Sequence, residues 1–388
     1  MRACHVVYGY FPFDPRVRRE VEALVRRGHE IDVIAAADHG EGSEESALGV
    51  RVHRVPWPVV RGGRIRYAFQ YVLFFLVASV RLLRLHWTHR FDVIHIHSLP
   101  DFQVLGALPE RALGARIVLD LHEALPEIMA ARFGYGSLVG VARALEKISC
   151  LVAHQVLVVN DGIKSLLVGR GVEASKLIVV MNSPNLQRSP PMRENRLAVP
   201  LPSQEGRLIV YVGGINKERD LELLIRATGR LRDSHNAQLA VYGYGDATYR
   251  ERLKLVAREE RLGTAFFLGP ALEPEEVQNY VALSEIGPIT YERNPLTELA
   301  IPNKAFEYAA AQKPLVIADL KCLRALFGDA ALYYEPGDPE DLAYQIAILL
   351  DNADLRRHLA EKASGVLQTC RWEVMENRLV AAYRTDGT

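Results

Sequence analysis

Apolar runs that read as β-strands alternate with amphipathic helical stretches along almost the whole chain. Several of these runs, such as QVLVVN and PLVIAD, are apolar nearly from end to end. That pattern is typical of parallel strands that are covered by helices on both faces. The alternation therefore predicts an α/β fold with doubly wound parallel sheets. At 388 residues the chain is too long for one such domain, so we expect two.

The alternation lapses once, near residues 185–206, where the chain is rich in proline, polar and charged residues. We interpret this segment as an interdomain linker. The predicted organisation is a Rossmann-like domain over residues 1–190, a second over 191–370 and a helical tail over 371–388. Ligands of open α/β sheets bind at the carboxyl ends of the strands, so we expect functional residues just after strands, in a cleft between the domains.

The overall charge excludes a general attraction to nucleic acid, because Lys+Arg and Asp+Glu both number 47. The four cysteines lie far apart without metal-ligand spacing, which favours a reducing cytoplasm and neither disulfides nor structural zinc. The first residues read as a strand rather than a signal peptide. The longest uncharged apolar run, Tyr67–Val80, has 14 residues, fewer than the roughly 20 that a membrane-spanning helix needs.

The most specific motif is IPNKAFEYAAAQKPLVIA, which begins at Ile301. Its helix would present backbone N–H groups near Asn303, and a helix N-terminus carries about half a positive charge that receives phosphate. Lys304 adds a full charge. The carboxylate of Glu307, one turn later, suits the hydroxyl groups of a ribose. The alternative is an ordinary amphipathic helix in which Lys304 and Glu307 form a surface pair.

Two further motifs of the second half follow predicted strands. YVGGINKERDLELLIRA holds a glycine turn at Gly213 and Gly214, where a diphosphate could approach the backbone closely, and Arg219 could bind phosphate oxygens bidentately. Lys217 is a second candidate cation. Gly243 opens GYGD, which would pass beneath a nucleotide base. A plain glycine turn with an exposed arginine is the alternative for these motifs.

In the first half, LDLHE places His122 and Glu123 at the end of a buried strand that faces the predicted cleft. Asp120 lies on the same strand face and is the candidate to orient the His122 ring. In IHIHS, His95 and His97 point to one face. No third metal ligand is evident for them, so we interpret the pair as a polar wall of the cleft.

Three other residues of the first half follow strands. Asp14 and Arg16 follow the first strand, and Asn182 follows the last. A structural explanation exists for each, since Asp14 suits a helix N-cap, Arg16 a salt bridge and Asn182 a turn.

Residues 46–91 contain no Asp or Glu but eight arginines, with an apolar helix near residues 64–90 and Trp57 and Trp87 outside its apolar run. This pattern is typical of a helix that lies on an anionic membrane surface, where each basic group contributes about 1 kcal/mol. The alternative is a core helix with solvated ends. Nucleic acid is a poor partner, because the basic cluster is apolar rather than interleaved with aromatic and polar residues.

The motifs above, in this order and spacing, resemble glycosyltransferase family four, the retaining GT-B transferases that use sugar nucleotides. The resemblance covers essentially the whole chain, including FDPRVRREVEALVRRGHEIDVI and LIVVMNSPN. It implies a GT-B fold of two Rossmann-like domains, with the acceptor bound by the first and the nucleotide sugar by the second. It also implies metal-independent transfer and a C-terminal helix that crosses back to the first domain.

The resemblance also assigns roles to individual residues. Glu307 would hold the nucleotide ribose, and His122 would contact the donor sugar or the reacting centre. The loop with Asp14 and Arg16 would lie beside the acceptor, and Asn182 near the cleft. Around the diphosphate, the resemblance places the helix end at residues 301–305 with Gly213, Gly214 and Arg219.

The sequence departs from the family pattern at two positions. The first glutamate of the family's pair should fall at Leu299, and Glu298 is one residue out of register. Gly214 stands where relatives have an arginine, and Lys217 is the candidate to compensate. The sequence has no DxD motif that would hold a divalent metal beside the diphosphate, so we expect neither metal nor cofactor.

The sequence therefore predicts a retaining hexosyltransferase that transfers sugar from a UDP or GDP sugar to a saccharide or lipid-linked hydroxyl group. We expect it to be peripheral on the cytoplasmic face of the membrane, in polysaccharide or glycolipid biosynthesis. Two alternatives stay open: a GT-B sugar-nucleotide epimerase, and a membrane-bound scaffold that has lost turnover.

Overall fold

The computed structural model describes residues 1–37, 44–56, 64–133, 136–183, 199–202 and 206–384. The chain forms two compact units. The first contains Met1–Asn182 and Glu373–Thr388, and the second contains Ser183–Trp372. Most of the predicted linker lies outside the described residues.

The first unit is built on one eight-stranded sheet with the order β3-β4-β2-β1-β5-β6-β7-β8. Neighbouring strands are parallel except for the β3–β4 pair. The central strands are almost wholly buried, which accounts for their apolar sequences. The strands are β1 (Arg2–Val7), β2 (Glu30–Ala36), β3 (Glu44–Ala47), β4 (Val50–Val55), β5 (Val93–His97), β6 (Arg116–Leu121), β7 (Gln155–Val158) and β8 (Leu177–Val179).

Helices connect the parallel strands of the first unit, as crossover connections require. They are α1 (Pro15–Arg26), α2 (Arg64–His89), α3 (Leu108–Ala112), α4 (Leu125–Phe133), α5 (Gly136–Val152) and α6 (Asp161–Gly169).

The second unit has two three-stranded parallel sheets, β11-β10-β9 and β12-β13-β14. Its strands are β9 (Arg207–Val212), β10 (Ala237–Tyr242), β11 (Phe266–Gly269), β12 (Gly287–Ile289), β13 (Leu315–Ala318) and β14 (Ala331–Tyr334). Its helices are α7 (Leu221–His235), α8 (Ala247–Glu259), α9 (Val277–Ala282), α10 (Asn303–Ala310), α11 (Lys321–Phe327), α12 (Pro339–Asp351) and α13 (Ala353–Cys370).

A serine joins the two sheets of the second unit. The backbone N–H of Val210 in β9 donates to Ser284 Oγ at 2.9 Å, and the Ser284 hydroxyl donates to the carbonyl of Ile286 at 2.6 Å. Pro288 lies in β12 and has no N–H to donate to a ladder. The side chain of Ser284 thus satisfies a buried backbone donor that a regular strand pair would have satisfied.

The last helix, α14 (Trp372–Tyr383), packs on the first unit. Glu376 accepts hydrogen bonds from Arg26 at 2.7 Å and from Arg27 at 2.9 Å, both at the end of α1. The side chain of Arg116 in β6 donates to the carbonyl of Ala382. These contacts bring the buried Tyr383 beneath the sheet of the first unit, beside β1 and β5.

Helix α2 is longer than its uncharged run. Its stretch Phe69–His89 has a mean hydropathy of 1.3 and is, by length and composition, long and apolar enough to cross a membrane. Length and composition alone therefore do not exclude a membrane span, and the expectation that this run does not cross a membrane by itself stays a prediction. One side of α2 packs against the sheet of the first unit and is buried at every fourth residue, at Gln70, Phe74, Ala78, Leu82 and His86.

Candidate active site

Glycines line the carboxyl ends of β9 and β10 in the second unit. The backbone N–H of Gly213 donates to the carbonyl of Tyr242 at 2.9 Å, which holds the two strand ends together. A Cβ atom on Gly243 would lie only 1.8 Å from the carbonyl oxygen of Gly213, so no larger residue fits there. The predicted residues Gly213, Gly214 and Gly243 thus form one strand edge where backbone groups approach each other closely.

Lys304 reaches this edge from the first turn of α10. Its ammonium group lies 3.6 Å from the centre of the Tyr211 ring, a favourable cation–π contact. A Cβ atom on Gly213 would lie 3.4 Å from the Lys304 Nζ atom. Lys304 is buried, and Nζ has no hydrogen-bond partner among the described residues.

The missing partner of Lys304 has an electrostatic consequence. Burial, together with nearby Arg219, lowers the pKa of Lys304 well below its ordinary value. Buried polar groups in folded proteins usually have a hydrogen-bond partner, so the position of Lys304 beside a glycine turn makes it a candidate for contact with an anion. An anion bound close to Lys304 would raise its pKa and stabilise the charged form.

Arg219 is a second cation of this region. It ends a short 3-10 helix, Lys217–Arg219, and its guanidinium carbon lies 4.6 Å from the centre of the Tyr291 ring. The hydroxyl group of Thr290 donates to the Arg219 carbonyl at 2.7 Å, which fixes the backbone. Arg219 Nε is buried without a partner. Lys217 is exposed, so its compensating role stays a prediction.

Glu307 lies one turn after Lys304 on α10. It makes no ion pair with Lys304, so the surface-pair interpretation of the motif is wrong for the described structure. Burial raises the pKa of Glu307, and the charge of Lys304 opposes that rise. Asn303 begins the helix and is exposed. The helix end therefore offers an exposed amide, a buried ammonium and a partly buried carboxyl group within two turns.

Glu298 already has structural partners. Its Oε2 atom accepts a hydrogen bond of 2.8 Å from the backbone N–H of Lys321, the first residue of α11, and Oε1 lies 3.5 Å from Arg293 Nε. These contacts cap a helix and neutralise the carboxylate. A donor-binding role for Glu298 stays a prediction, and it would compete with these contacts.

In the first unit, Asp120 is the centre of a buried polar cluster. Its Oδ2 atom accepts hydrogen bonds from Arg16 Nε at 2.8 Å, His97 Nδ1 at 3.1 Å and His122 Nε2 at 2.9 Å. Burial alone would raise the pKa of Asp120, but Arg16, His122 and His97 hold it well below its usual range. Asp120 therefore orients His122, as their spacing on one strand face predicted.

Arg16 links Asp120 to two other elements. Its NH1 atom donates to the Val180 carbonyl at 2.9 Å and to Asn182 Oδ1 at 3.0 Å, and NH2 lies 3.2 Å from Glu20 Oε1. Asp14 caps α1 by accepting from the N–H groups of Arg16 and Val17. The structural explanations for Asp14 and Arg16 thus hold, and an acceptor contact by either residue stays a prediction.

The two histidines of β5 are fully buried. The interpretation of His95 and His97 as a cleft wall is therefore wrong, and His97 has no free ring nitrogen for direct contact with an acceptor. The parallel register pairs His5 of β1 with His95 and His97 with Asp120, so these side chains stack beneath one sheet face. Glu123, by contrast, is exposed and has no hydrogen-bond partner among the described residues.

His5 and Tyr383 are the residues that sequence reasoning missed. His5 Nδ1 lies 2.9 Å from His97 Nε2, and His5 Nε2 lies 2.9 Å from the Tyr383 hydroxyl. That hydroxyl lies 2.9 Å from His95 Nδ1. The alternation of His5 with apolar residues in CHVVY was a signal for an inward position. Nothing local could have paired it with Tyr383, which is 378 residues away.

Two groups in this cluster have ligand atoms close enough for a metal ion: His5, His95 and His97, and Glu20, His95, His97 and Asp120. The expectation that His95 and His97 lack a third ligand is therefore wrong. However, five of the six ring nitrogens of His5, His95 and His97 already make the hydrogen bonds given above. Hydrogen bonding thus accounts for the arrangement of these rings without an ion.

Comparison with known proteins identifies the family. Residues 14–183 match the family described as Glycosyl transferase 4-like domain, and residues 206–352 match Glycosyl transferases group 1. The chain belongs to the group-1 glycosyltransferases of the family-four type. This glycosyltransferase is 24% identical over 376 residues to an uncharacterized glycosyltransferase of Methanocaldococcus jannaschii, which covers 94% of this chain and 91% of that protein.

Solved structures confirm the GT-B fold of this glycosyltransferase. Sucrose-phosphate synthase from Thermosynechococcus elongatus superposes with a TM-score of 0.78 at 16% identity, over 99% of this chain and 98% of that chain. Anabaena HepE in complex with UDP superposes with a TM-score of 0.74 at 13% identity, over 98% and 99% of the two chains. At these identities the likeness shows the fold alone.

We expect Arg16→Met to lower the free energy of unfolding of the glycosyltransferase by about 3–5 kcal/mol, because it leaves Asp120 buried without its cation. Urea denaturation of the full chain measures this loss. Arg18→Met, which removes an exposed pair with Glu22 from the same helix, should cost less than about 1 kcal/mol. Equal losses in the two variants would contradict a special role for the buried pair.

Proposed function

We propose that this glycosyltransferase transfers a sugar from a UDP or GDP sugar to a hydroxyl group of a saccharide or lipid-linked acceptor, with retention of the anomeric configuration. The observation that carries the proposal is the buried, unpaired ammonium group of Lys304 beside Gly213. A diphosphate is the anion that best fits a lysine, an arginine and a helix N-terminus at one strand edge.

The roles of the donor residues follow from their positions on the second unit. The diphosphate would accept hydrogen bonds from Lys304, Arg219 and the backbone near Gly213. The carboxyl group of Glu307 would accept from the ribose hydroxyl groups, which would compensate its partial burial. The acceptor belongs to the first unit, whose partly exposed His122 is the group that Asp120 orients.

The reaction needs charge stabilisation more than covalent chemistry from the protein. The bond between the anomeric carbon and the phosphate oxygen breaks, and a bond to the acceptor oxygen forms on the same face of the sugar. The acceptor proton passes to the departing diphosphate. The cations Lys304 and Arg219 would stabilise the charge that develops on the diphosphate, the main electrostatic contribution in such a site. We propose that transfer needs no divalent metal, because these two cations take its place.

The family matches favour a glycosyltransferase over the two alternatives, the epimerase and the inactive scaffold. An epimerase would use the same donor residues without an acceptor, so product analysis separates the two. The relation of product to donor anomer, read by NMR, tests retention. Undiminished turnover in EDTA would support metal independence, and loss of turnover that Mn²⁺ restores would contradict it.

Titration with UDP, GDP and ADP, followed by thermal shift, tests the donor site. We expect one nucleotide to raise the melting temperature of the wild type selectively. Glu307→Ala should weaken its binding about ten- to a hundredfold, because a ribose then loses a hydrogen bond to a charged group. Glu361→Ala, which removes an exposed glutamate from α13, serves as the control and should bind like the wild type.

Two results would contradict the donor site. Stabilisation by none of the three nucleotides would favour the scaffold alternative. Equal binding by Glu307→Ala and the wild type would remove Glu307 from the ribose site while leaving nucleotide binding intact.

We also propose that α2 holds the protein on an anionic membrane surface at the cytoplasmic face. Six large apolar side chains of α2 are between 39% and 70% exposed: Phe69, Val72, Leu76, Val80, Leu83 and Trp87. Their spacing of three and four residues places them on one helix face, a stripe ~27 Å long. A continuous exposed apolar stripe of this length favours a binding surface over a plain solvated helix.

Charge around the stripe favours a lipid surface as its occupant. Arg66, Arg84 and Arg90 are exposed on the same helix or at its end. Three of the eight arginines are engaged within the unit, however: Arg51 pairs with Asp32, Arg54 is buried, and Arg81 donates to the Arg54 carbonyl. Arg61 lies outside the described residues, as does Trp57. The electrostatic contribution is therefore smaller than the sequence suggests, and the apolar stripe supplies most of the proposed affinity.

Vesicle sedimentation tests the membrane proposal. We expect the protein to bind vesicles that contain phosphatidylglycerol more tightly than vesicles of phosphatidylcholine, and to bind less tightly in high salt. Leu76→Asp should weaken binding about tenfold or more, because it removes an exposed leucine that the lipid would bury. Leu255→Asp on α8, an equally exposed leucine away from the stripe, is the control. Equal effects of the two substitutions, or no binding to either vesicle, would overturn the proposal.

A further inference from the structure

A chain of hydrogen bonds runs through the core of the first unit from His95 to His122. Its members are supplied by β1, β5, β6 and the C-terminal helix α14. In order they are His95, Tyr383, His5, His97, Asp120 and His122, and neighbouring polar atoms lie 2.9–3.1 Å apart. All of them except His122 are fully buried, so water does not compete for these hydrogen bonds.

The direction of each hydrogen bond follows from Asp120. As an ionised carboxylate it only accepts, so His97 Nδ1 and His122 Nε2 both carry protons. Burial lowers the pKa of His97, so its ring is neutral and its Nε2 atom must accept from His5 Nδ1. Burial and the neighbouring His97 keep His5 neutral as well, since they lower its pKa well below the ordinary value.

The remaining hydrogen bonds, from His5 to His95, have a direction that follows in the same way. The Nε2 atom of neutral His5 accepts, so the Tyr383 hydroxyl donates to it and itself accepts from His95 Nδ1. Tyr383 therefore supplies the donor that this order requires at His5 Nε2, and it stabilises the Nδ1–H form of His5 that Asp120 selects through His97. Without that hydroxyl, His5 could carry its proton on Nε2, and His97 could then turn its own proton away from Asp120.

This order determines what His122 presents to a substrate. Because Nε2–H of His122 donates to Asp120, the neutral form of the ring would carry its lone pair on Nδ1. Nδ1 has no hydrogen-bond partner among the described residues, and the side chain is 19% exposed. In that form His122 would offer an acceptor to a sugar hydroxyl group. Each hydrogen bond that Asp120 accepts stabilises its ionised form and holds the carboxylate close to both imidazole rings.

We propose that Tyr383 is a positioning residue of the glycosyltransferase, which acts through His5, His97 and Asp120 to hold His122 as a hydrogen-bond acceptor for a substrate hydroxyl. The expected effect on turnover rests on the proposed function, whereas the order of the protons does not. The C-terminal helix would then have a chemical role besides packing, because it supplies the hydroxyl group that closes the chain.

Other charged groups that face the chain are consistent with this order. From α1, Arg16 donates to Asp120, Asp14 lies near His97, and Glu20 Oε2 lies 3.8 Å from His95 Nε2. Burial and the charge of Asp120 raise the pKa of Glu20 well above its ordinary value. The protonated form is therefore favoured for Glu20 and the ionised form for Asp120, although both carboxyl groups contact Arg16.

Tyr383→Phe tests the proposal, because it removes only the hydroxyl group and keeps the ring. The readout is ¹⁵N NMR of the full chain labelled in histidine, since the two ring nitrogens report where each proton resides. In the wild type we expect His5 and His97 in the Nδ1–H form and His122 in the Nε2–H form. In Tyr383→Phe we expect mixed forms of His5 and His97.

Turnover gives the second readout, as release of UDP from UDP-glucose or of GDP from GDP-mannose with acceptor present. Tyr383→Phe should lower kcat about three- to tenfold, the equivalent of one hydrogen bond, with little change in KM for the donor. Glu376→Gln is the matched control, because it weakens the ion pairs that hold α14 on α1 and leaves the Tyr383 hydroxyl in place. It should leave both the proton positions and kcat as in the wild type.

Three results would overturn the proposal: unchanged proton positions in Tyr383→Phe, changed positions with unchanged kcat, or the same effects in Glu376→Gln. If no sugar nucleotide is turned over, the proposed function fails, and the NMR result still decides whether Tyr383 fixes the chain.

Discussion

The ion pair between Arg16 and Asp120 is the interaction on which the polar interior of the first unit depends. Two fully buried carboxyl groups, Asp120 and Glu20, share one arginine there. Burying a charge is costly unless it is paired and hydrogen-bonded, and Asp120 meets this condition through three donors to one oxygen. Its charge then orders the protons of the histidines around it. Buried groups thereby orient His122, a predicted residue of the active site that is partly exposed.

In the second unit, by contrast, two cationic side chains have buried nitrogen atoms that lack hydrogen-bond partners among the described residues. Among the described residues, Lys304 has an aromatic ring for a neighbour but no hydrogen-bonded anion, and Arg219 Nε has no hydrogen-bond partner. Leaving these buried N–H groups without hydrogen bonds lowers the stability of the free protein, and a bound anion would offset that loss. The cluster around Asp120 thus pairs its charge internally and holds a side chain in position, whereas Lys304 of the second unit has no hydrogen-bond partner among the described residues. That contrast fits a protein whose second unit binds the charged donor.

The sequence was sufficient for the fold, and it predicted several residues that the structure brings to one strand edge of the second unit, because both depend on local patterns. Apolar strands, glycine turns and the helix at Asn303 are each specified within about twenty residues. The sequence was insufficient where pairing is remote. His97 was expected at a surface and lies in the core, since its surroundings depend on His5 and Tyr383. The arginines near α2 formed an apparent cluster, but Arg51 and Arg54 are satisfied by the neighbouring strand β2, through Asp32 and the carbonyl of Ala36.

The proposed donor site depends most directly on a buried lysine, Lys304, whose pKa is lowered in the free protein and would be raised by a bound diphosphate. Calorimetric titration with the tighter of UDP and GDP, from neutral to alkaline pH and in buffers of different ionisation heat, measures the protons taken up on binding. We predict uptake of a proton and an affinity that falls by up to about tenfold per pH unit once free Lys304 has lost its proton. Lys304→Met should bind more weakly and take up no proton at this site. Affinity that does not vary over this range, or the same uptake by Lys304→Met, would contradict the account.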